Sequence, residues 1–228
     1  MNRANRIVFC LWLGALSLRA QRMKDFQVPK AIPPGSVIVI GFLGGFEPWN
    51  DAHRGVRKVA LDLRARQIPG VYAETIENRH RDLAVKLIKH AHPRGVRIIL
   101  YGQSWGGAAV LHVARKLRKM GLDVELTIQV DSVGVHDTLI PANVHAAANL
   151  FQHDPLTIDG QREIRAEDPA RTRIIENTRL SYLFRPFDTL NKDDASWVRR
   201  TFGGSHAKME ADEAVWLHVE GLILHAIK

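Results

Sequence analysis

The five residues at positions 102–106 have the types and spacing of a reactive nucleophile. They read Gly-Gln-Ser-Trp-Gly, so Ser104 stands between two glycines. The string alone recurs by chance, and its setting gives it weight. The apolar run 96–101 ends directly before it, and apolar residues at helical spacing follow it as far as Gly121. A strand, a sharp turn and a helix in this order expose a serine hydroxyl for attack on a carbonyl carbon.

Glycine-rich turns also bind phosphate groups, and a serine can stand in a packing turn by chance. A Walker-type loop needs Lys followed by Ser or Thr after its last glycine, whereas Ala108 follows Gly107 here. A dinucleotide loop needs G-x-G-x-x-G after the first strand, and the glycines of residues 41–45 lack that spacing. The nucleophile interpretation is therefore favoured over both phosphate-binding interpretations.

Strands and helices alternate around this turn. Apolar runs without alternation predict strands covered on both faces, and apolar residues at spacings of three and four predict helices between them. This order implies parallel β-α units, so we expect an α/β fold with a doubly wound, mostly parallel sheet and helices on both faces. The predicted strands are 36–40, 71–76, 96–101 and 124–130, and the helical stripes include Val56, Val59 and Leu63, then Leu83 and Leu87, then Val110, Val113 and Leu117.

The pattern weakens from residue 132 to about residue 178. Prolines and charged residues punctuate this stretch, which we interpret as an excursion over the strand ends with one short helix after Pro141. Further strands are expected at 179–184 and 197–202. An amphipathic helix that starts at Lys208 is expected to end the chain.

Residues 37–227 resemble the α/β-hydrolase superfamily, in particular its small bacterial lipase- or esterase-like members. The resemblance rests on the GQSWGG turn, on the GFLGG turn at 41–45 and on a histidine near the start of the last helix. It implies an α/β-hydrolase fold of minimal size and hydrolysis through an acyl-enzyme at Ser104, without metal or cofactor. A carboxylic ester is the expected substrate, and thioesters and amides use the same machinery.

Serine is a weak nucleophile at neutral pH, so a general base and an orienting carboxylate must accompany it. In α/β hydrolases the acid and then the histidine follow the serine along the chain. His206 is the candidate base, because a Gly-Gly-Ser loop precedes it and the last helix starts just after it. Asp131 is the favoured acid, since it ends an unambiguous strand as in lipase-like members. Asp188 is the alternative, at the position where many other members carry the acid.

The resemblance also implies two backbone donors for an oxyanion. One is the N–H of Trp105, and the other is the N–H of Phe42, with Leu43 as the neighbouring option. Many relatives carry His-Gly where this chain has Ile40 and Gly41. This departure motivates an alternative function, in which an exported protein of the same fold has lost catalysis and binds a partner or a lipid.

The first twenty residues differ from the rest of the chain. Arg3 and Arg6 precede the apolar segment 7–18, which is too short for a membrane span and typical of a secretory signal peptide. We expect an exported protein, periplasmic or secreted, in which residues 1–20 are removed or kept as an anchor; a buried helix of the fold is the alternative. Residues 21–228 then form one hydrolase domain, because 228 residues are too few for two ordinary enzyme domains.

The net charge of +8 indicates little about partners, because basic residues are interspersed with acidic ones. We expect a small-molecule or lipid ester as substrate, no nucleic-acid partner, and at most weak association with anionic membrane surfaces. His90 with His92, and Asp51 with His53, each lack a third ligand, so no metal site is expected.

Overall fold

The computed structural model describes residues 21–29, 32–91, 95–154, 160, 162–185 and 204–228. The described strands are β1 (Val37–Leu43), β2 (Val71–Glu77), β3 (Arg97–Gln103), β4 (Val124–Val130), β5 (Leu139–Ile140), β6 (Val144–Gln152), β7 (Arg165–Ala166) and β8 (Arg173–Leu180). Six of them form one parallel sheet in the order β2-β1-β3-β4-β6-β8, while β5 and β7 pair with each other.

The central strands are apolar because both of their faces are covered. All seven residues of β1 are buried, and β3 and β4 each leave a single residue half-buried. Runs without alternation are typical of parallel strands between two helical layers. The strand β8 instead alternates between exposed and half-buried residues, as an edge strand does when only one of its faces is covered.

The described helices are α1 (Gly55–Ala65), α2 (Asp82–Ala91), α3 (Trp105–Lys119), α4 (Gly204–Ala211) and α5 (Glu213–Ile227), with short 3₁₀ helices at Met23–Asp25 and Asn78–His80. The helices α2 and α3 pack on one face of the sheet, against residues such as Ile40 and Leu100. The helices α1 and α5 pack on the other face, against residues such as Val39 and Ile99. The predicted doubly wound parallel sheet is therefore confirmed.

The packing of α1 against α5 depends on one small residue. A Cβ atom on Gly55 would lie 1.9 Å from Cε2 of Trp216, whose indole N–H donates to the Glu210 carbonyl at 2.7 Å. Trp216 is buried, so its ring has little room to move. Gly55→Ala is therefore expected to lower the free energy of unfolding by about 1–3 kcal/mol through overpacking, as measured by urea denaturation.

Gly221 is the matched control for that prediction. It lies in α5 as well, and a Cβ atom there meets nothing within 4 Å. Gly221→Ala is expected to raise the free energy of unfolding by about 0.5–1 kcal/mol, because alanine is the better helix former. Equal effects of the two substitutions would contradict the proposed contact between Gly55 and Trp216.

The interpretation of residues 132–178 as an excursion over the strand ends is wrong. This stretch supplies β6 and β8, two strands of the main sheet, and residues 144–152 form a strand where a short helix was expected after Pro141. The strand β6 was hidden by three consecutive alanines, which favour helices, and it becomes a strand because it lies between β4 and β8. The strand expected at 179–184 ends at Leu180 instead, because β8 starts earlier than predicted.

The last helix also starts earlier than expected. It begins as α4 at Gly204, and it is interrupted at Asp212, whose carboxylate accepts from the Ala214 N–H at 3.0 Å and caps α5. Residues 1–20 and the strand expected at 197–202 lie outside the described residues. No helix in the described part of the chain is long and apolar enough to span a membrane.

Candidate functional site

Ser104 lies on a sharp turn between the end of β3 and the start of α3. Its backbone angles, φ 56° and ψ −126°, cost about 1–3 kcal/mol for a residue other than glycine. Hydrogen bonds from two sides hold this conformation. The Ser104 N–H donates to the Val130 carbonyl at 3.0 Å, and the Ser104 carbonyl accepts from the Val133 N–H at 3.1 Å. Ser104 is half-buried on a turn with the strand-turn-helix geometry that the GxSxG setting predicted.

The glycines of the motif are needed because chain segments approach one another closely at this turn. A Cβ atom on Gly102 would lie 2.5 Å from the carbonyl carbon of Gly106. A Cβ atom on Gly106 would lie 2.0 Å from the Phe42 carbonyl oxygen. Larger residues at either position would push the turn away from β1, and Ser104 would lose its place at the end of the sheet.

His206 and Asp131 are brought together from distant parts of the chain. Asp131 follows β4 and is fully buried, and His206 lies in the first turn of α4 with 13% of its side chain exposed. The Nδ1 atom of His206 is 2.6 Å from Oδ2 of Asp131. A carboxylate at Nδ1 favours the tautomer with its proton on Nδ1, which leaves a lone pair on Nε2. Asp188, the alternative acid, lies outside the described residues.

Both candidate oxyanion donors lie next to Ser104 in the fold. Trp105 is the first residue of α3, where backbone N–H groups have no partner within the helix. Phe42 lies near the end of β1, with its carbonyl against Gly106. The carbonyl of Leu43, the neighbouring option, accepts from the Asn78 side-chain amide at 3.0 Å. The oxyanion role of Phe42 and Trp105 stays a prediction.

A parallel sheet is covered by helices on both faces, and a strained serine stands between a strand and a helix. An aspartate at a strand end and a histidine follow that serine in chain order, and they meet each other beside the sheet. The fold is an α/β-hydrolase fold.

No protein-family model and no curated protein matches the chain. Among solved structures, the hydrolase fold is similar to that of a cutinase-like protein from Cryptococcus sp., with 13% identity and a TM-score of 0.48 over 88% of this chain and 98% of that one. Est1E from Butyrivibrio proteoclasticus has 11% identity and a TM-score of 0.48 over 87% and 91%. XC6422 from Xanthomonas campestris, an α/β serine hydrolase without lid, has 13% identity and a TM-score of 0.44 over 89% and 85%.

The carboxylate of Asp131 is surrounded by hydrogen-bond donors. Gln152 donates its backbone N–H to Oδ1 at 3.2 Å and its side-chain amide to Oδ2 at 3.1 Å, and the Gly160 N–H donates to Oδ1 at 3.0 Å. Together with His206 these groups supply four hydrogen bonds to a carboxylate buried in this hydrolase fold. No sequence pattern singles out Gln152, since it ends the strand β6 that was not predicted.

Asp154 is a second buried carboxylate that supports the histidine indirectly. It accepts from the hydroxyl of Ser205 at 2.6 Å, from the Tyr182 N–H at 2.7 Å and from the Ser181 hydroxyl at 2.7 Å. Burial opposes ionisation, but these hydrogen bonds outweigh it and hold the pKa of Asp154 below its usual range. Because Ser205 directly precedes His206, Asp154 fixes the start of α4 against the end of β6.

Gln103 also contacts the histidine, although it stands at a variable position of the GxSxG motif. Its side-chain amide nitrogen is 3.2 Å from Nε2 of His206. Within the described residues, this amide rather than the Ser104 hydroxyl is the hydrogen-bond partner of Nε2. Gly44 makes room for it, because a Cβ atom there would lie 2.5 Å from Oε1 of Gln103.

Two aromatic side chains stand exposed beside Ser104. Phe46 is 75% exposed and Trp105 is 46% exposed. Their ring centroids are 5.7 Å apart at an interplanar angle of 83°, which is an edge-to-face contact. Exposed aromatic pairs offer an apolar surface to a bound ligand.

Glu47 is a largely buried carboxylate next to the turn that follows β1. It accepts from the Gly44 N–H at 3.1 Å, and Nε of Arg54 is 3.7 Å from its other oxygen. Burial raises the pKa of Glu47 to about 7 against the opposing effects of Arg54 and of the hydrogen bond from Gly44, and His206 acts in the same lowering direction. Glu47 therefore titrates near neutral pH within the electrostatic reach of the histidine.

Glu47→Gln is expected to remove a pH-dependent loss of stability. The pKa of Glu47 in the folded chain lies above its ordinary 4.5, so between pH 4.5 and about 7 the folded chain holds a proton that the unfolded chain releases. The wild-type free energy of unfolding therefore falls with rising pH across this window because of Glu47. The free energy of unfolding of the variant minus that of wild type should therefore increase by up to about 3 kcal/mol as the pH rises from below this window to above it.

Urea denaturation across that pH range measures the difference. The exposed carboxylate Glu163 provides the control variant, Glu163→Gln, which is expected to follow the wild-type profile. A constant stability difference between Glu47→Gln and wild type at every pH would contradict the raised pKa.

Proposed function

We propose that the protein is a serine hydrolase that cleaves a carboxylic ester through an acyl-enzyme intermediate. Ser104 is the nucleophile, His206 the general base and Asp131 the residue that orients the base. The observation that carries the proposal is the 2.6 Å contact between Nδ1 of His206 and Oδ2 of Asp131. It lies at the carboxyl ends of the central strands, where the strained Ser104 turn lies as well. This arrangement leaves Nε2 as the basic atom.

The reaction follows from these positions. The Ser104 oxygen attacks the carbonyl carbon while its proton passes to Nε2 of His206, and the backbone N–H groups of Phe42 and Trp105 bind the oxyanion that forms. The intermediate collapses when the ester oxygen leaves with the proton from His206. Water then repeats the sequence on the acyl-enzyme and releases the acid. For the first step, Nε2 must exchange its contact with Gln103 for one with the Ser104 hydroxyl.

The surroundings of Ser104 favour an ester with an apolar part. Phe46 and Trp105 form an exposed aromatic pair next to the serine, and an acyl chain or an aryl group would bury their faces. Small-molecule and lipid esters both offer such a group, and thioesters react by the same steps.

Covalent labelling with a fluorophosphonate tests this function. The probe phosphonylates a serine only where a base and an oxyanion site activate it, so the folded protein is expected to be labelled at Ser104 and Ser104→Ala is expected to stay unlabelled. Mass spectrometry of the peptide that contains residues 102–106 locates the label. Absence of label in the folded wild type, or equal labelling of Ser104→Ala, would reject the proposal.

A second candidate function is favoured by one observation. The Gln103 amide already occupies Nε2 of His206, which is the atom that a working base needs free. A hydrolase fold locked in this way would bind a partner or a lipid without turning it over. The labelling experiment separates the two functions, because a locked histidine cannot activate Ser104.

A further inference from the structure

A groove begins directly beside the Ser104 turn. Its cavity has a volume of about 310 Å³, and its lining includes Arg81, Trp105, Ala108, His112, Arg115 and Val135. We call these residues the Arg81 groove. Trp105 follows Ser104 in sequence, and Ala108 lies one helical turn further along α3. A substrate whose carbonyl lies at Ser104 can therefore extend into this groove.

The segment that follows the candidate oxyanion donor Phe42 contacts the wall of this groove. Asn78, which also lines the groove, donates its side-chain amide to the carbonyls of Leu43 and Gly45. Leu43 ends β1, and Gly45 lies in the turn that follows it. The groove is thus built onto the candidate site rather than separated from it.

The groove is positively charged, and none of the carboxylates in the described part of the chain lines it. Arg81 is half-buried and makes no ion pair within the part of the chain that the structure describes. Arg115 donates to two neutral carbonyls, those of His136 and Leu139. His112 also lines the groove, and its pKa is lowered by burial and by the positive charges of Arg81 and Lys116, against the opposing effect of Asp82.

The nearby acidic residues lie outside the lining of the groove, where Arg81 acts electrostatically on Asp82, and Arg115 interacts with Asp137 and Glu167. Asp82 pairs with Lys116, and Glu167 pairs with Arg118. The buried Asp137 accepts a hydrogen bond from Ser132, and its pKa is raised by burial. Two guanidinium groups therefore face the groove without an acidic counterpart in its lining.

We infer that the Arg81 groove binds an anionic group, a carboxylate or a phosphate, carried by the substrate whose carbonyl reacts at Ser104. This inference rests on the proposed function and narrows its substrate class. A guanidinium group binds both anions through paired N–H donors, and partial burial strengthens such bonds. Trp105 and Val135 supply apolar surface for the carbon chain between the carbonyl and the anion.

Two matched pairs of substrates test the inference and separate the two anions. Mono-4-nitrophenyl adipate carries a carboxylate on the acyl chain, and 4-nitrophenyl hexanoate is its neutral counterpart. Hexanoyl-coenzyme A carries phosphates on the leaving group, and the hexanoyl thioester of N-acetylcysteamine lacks them. In at least one of the two pairs, kcat/KM of the anionic member is expected to exceed that of the neutral member by about tenfold or more.

Arg81→Gln is expected to lower that ratio at least several-fold, because it removes a guanidinium group that is not held in an ion pair. Lys119→Gln is the matched control, since it removes one positive charge from an exposed position of the same helix as His112 and Arg115. Its ratio is expected to equal that of wild type. Absence of preference in both pairs, or equal ratios for Arg81→Gln and wild type, would overturn the inference.

Failure of the proposed function gives a different result. If none of the four substrates is hydrolysed, the hydrolase proposal has failed, and calorimetric titration with adipate and with coenzyme A decides the inference without turnover. Binding of either compound that Arg81→Gln weakens supports an anion site. Absence of binding, or binding unchanged in Arg81→Gln, overturns it.

Discussion

Ser104→Ala is expected to lower kcat for 4-nitrophenyl esters by about 10⁴- to 10⁶-fold, because alanine offers no oxygen for the acyl-enzyme. The residual rate reflects binding and the backbone donors alone. Initial rates of 4-nitrophenol release at saturating substrate measure the effect. Ser36→Ala is the control, since Ser36 lies at the opposite end of β1 from the site, and it is expected to keep wild-type turnover.

The same position allows a separate check of its backbone strain. Alanine at residue 104 keeps the unfavourable φ of 56°, whereas glycine adopts it freely. Ser104→Gly is therefore expected to be more stable than Ser104→Ala by about 1–2 kcal/mol in urea denaturation. Turnover by Ser104→Ala at the wild-type rate would contradict the nucleophile assignment, and equal stability of the two variants would contradict the strained turn.

Asp131→Asn is expected to lower kcat by about 10⁴-fold, the size of effect that replacing the orienting aspartate by asparagine has in serine proteases. The asparagine side chain offers Nδ1 of His206 one acceptor and one donor in place of a carboxylate, so the useful tautomer of the histidine is no longer selected. The ester assay measures the loss, and thermal unfolding verifies that the variant is folded. Asp131 accepts four hydrogen bonds, so some loss of stability is expected as well.

Asp188→Asn decides between the two acids named from the sequence. Its loss of kcat is expected to be far smaller than that of Asp131→Asn, because Asp131 already occupies Nδ1 of His206. The reverse ranking of the two variants would transfer the orienting role to Asp188.

Much of the fold was predictable because central parallel strands leave a strong pattern. The strands β1, β3 and β4 are buried on both faces, so their sequences are apolar without interruption. The strand β6 was missed and β8 was placed too late in the chain, for opposite reasons. Three alanines in β6 favour a helix when read alone, and β8 is polar because it lies at the sheet edge. Their strand conformation is decided by their neighbours in the sheet.

Candidate site residues could be named from the sequence where chemistry restricts residue types. Ser104, Asp131 and His206 stand out because few residues perform these roles in this chain order. The supporting residues Gln152 and Asp154 had no such signal, since they lie at or just after the end of the strand that was missed. Their roles come from which chain segments the sheet places side by side, and single-sequence patterns do not contain that information.

The hydrogen bonds from Asp131 through Gln152 to Asp154 and Ser205 join the start of α4 to the ends of β4 and β6, two interior strands of the sheet. A short helix opens more easily than interior strands, since fewer neighbours hold it. Opening there alone would release the imidazole while the serine turn stayed folded. Mild heating is thus expected to abolish turnover before the rest of the domain unfolds. Loss of activity would then report the opening of the helix that carries the imidazole, the least stable part of the site.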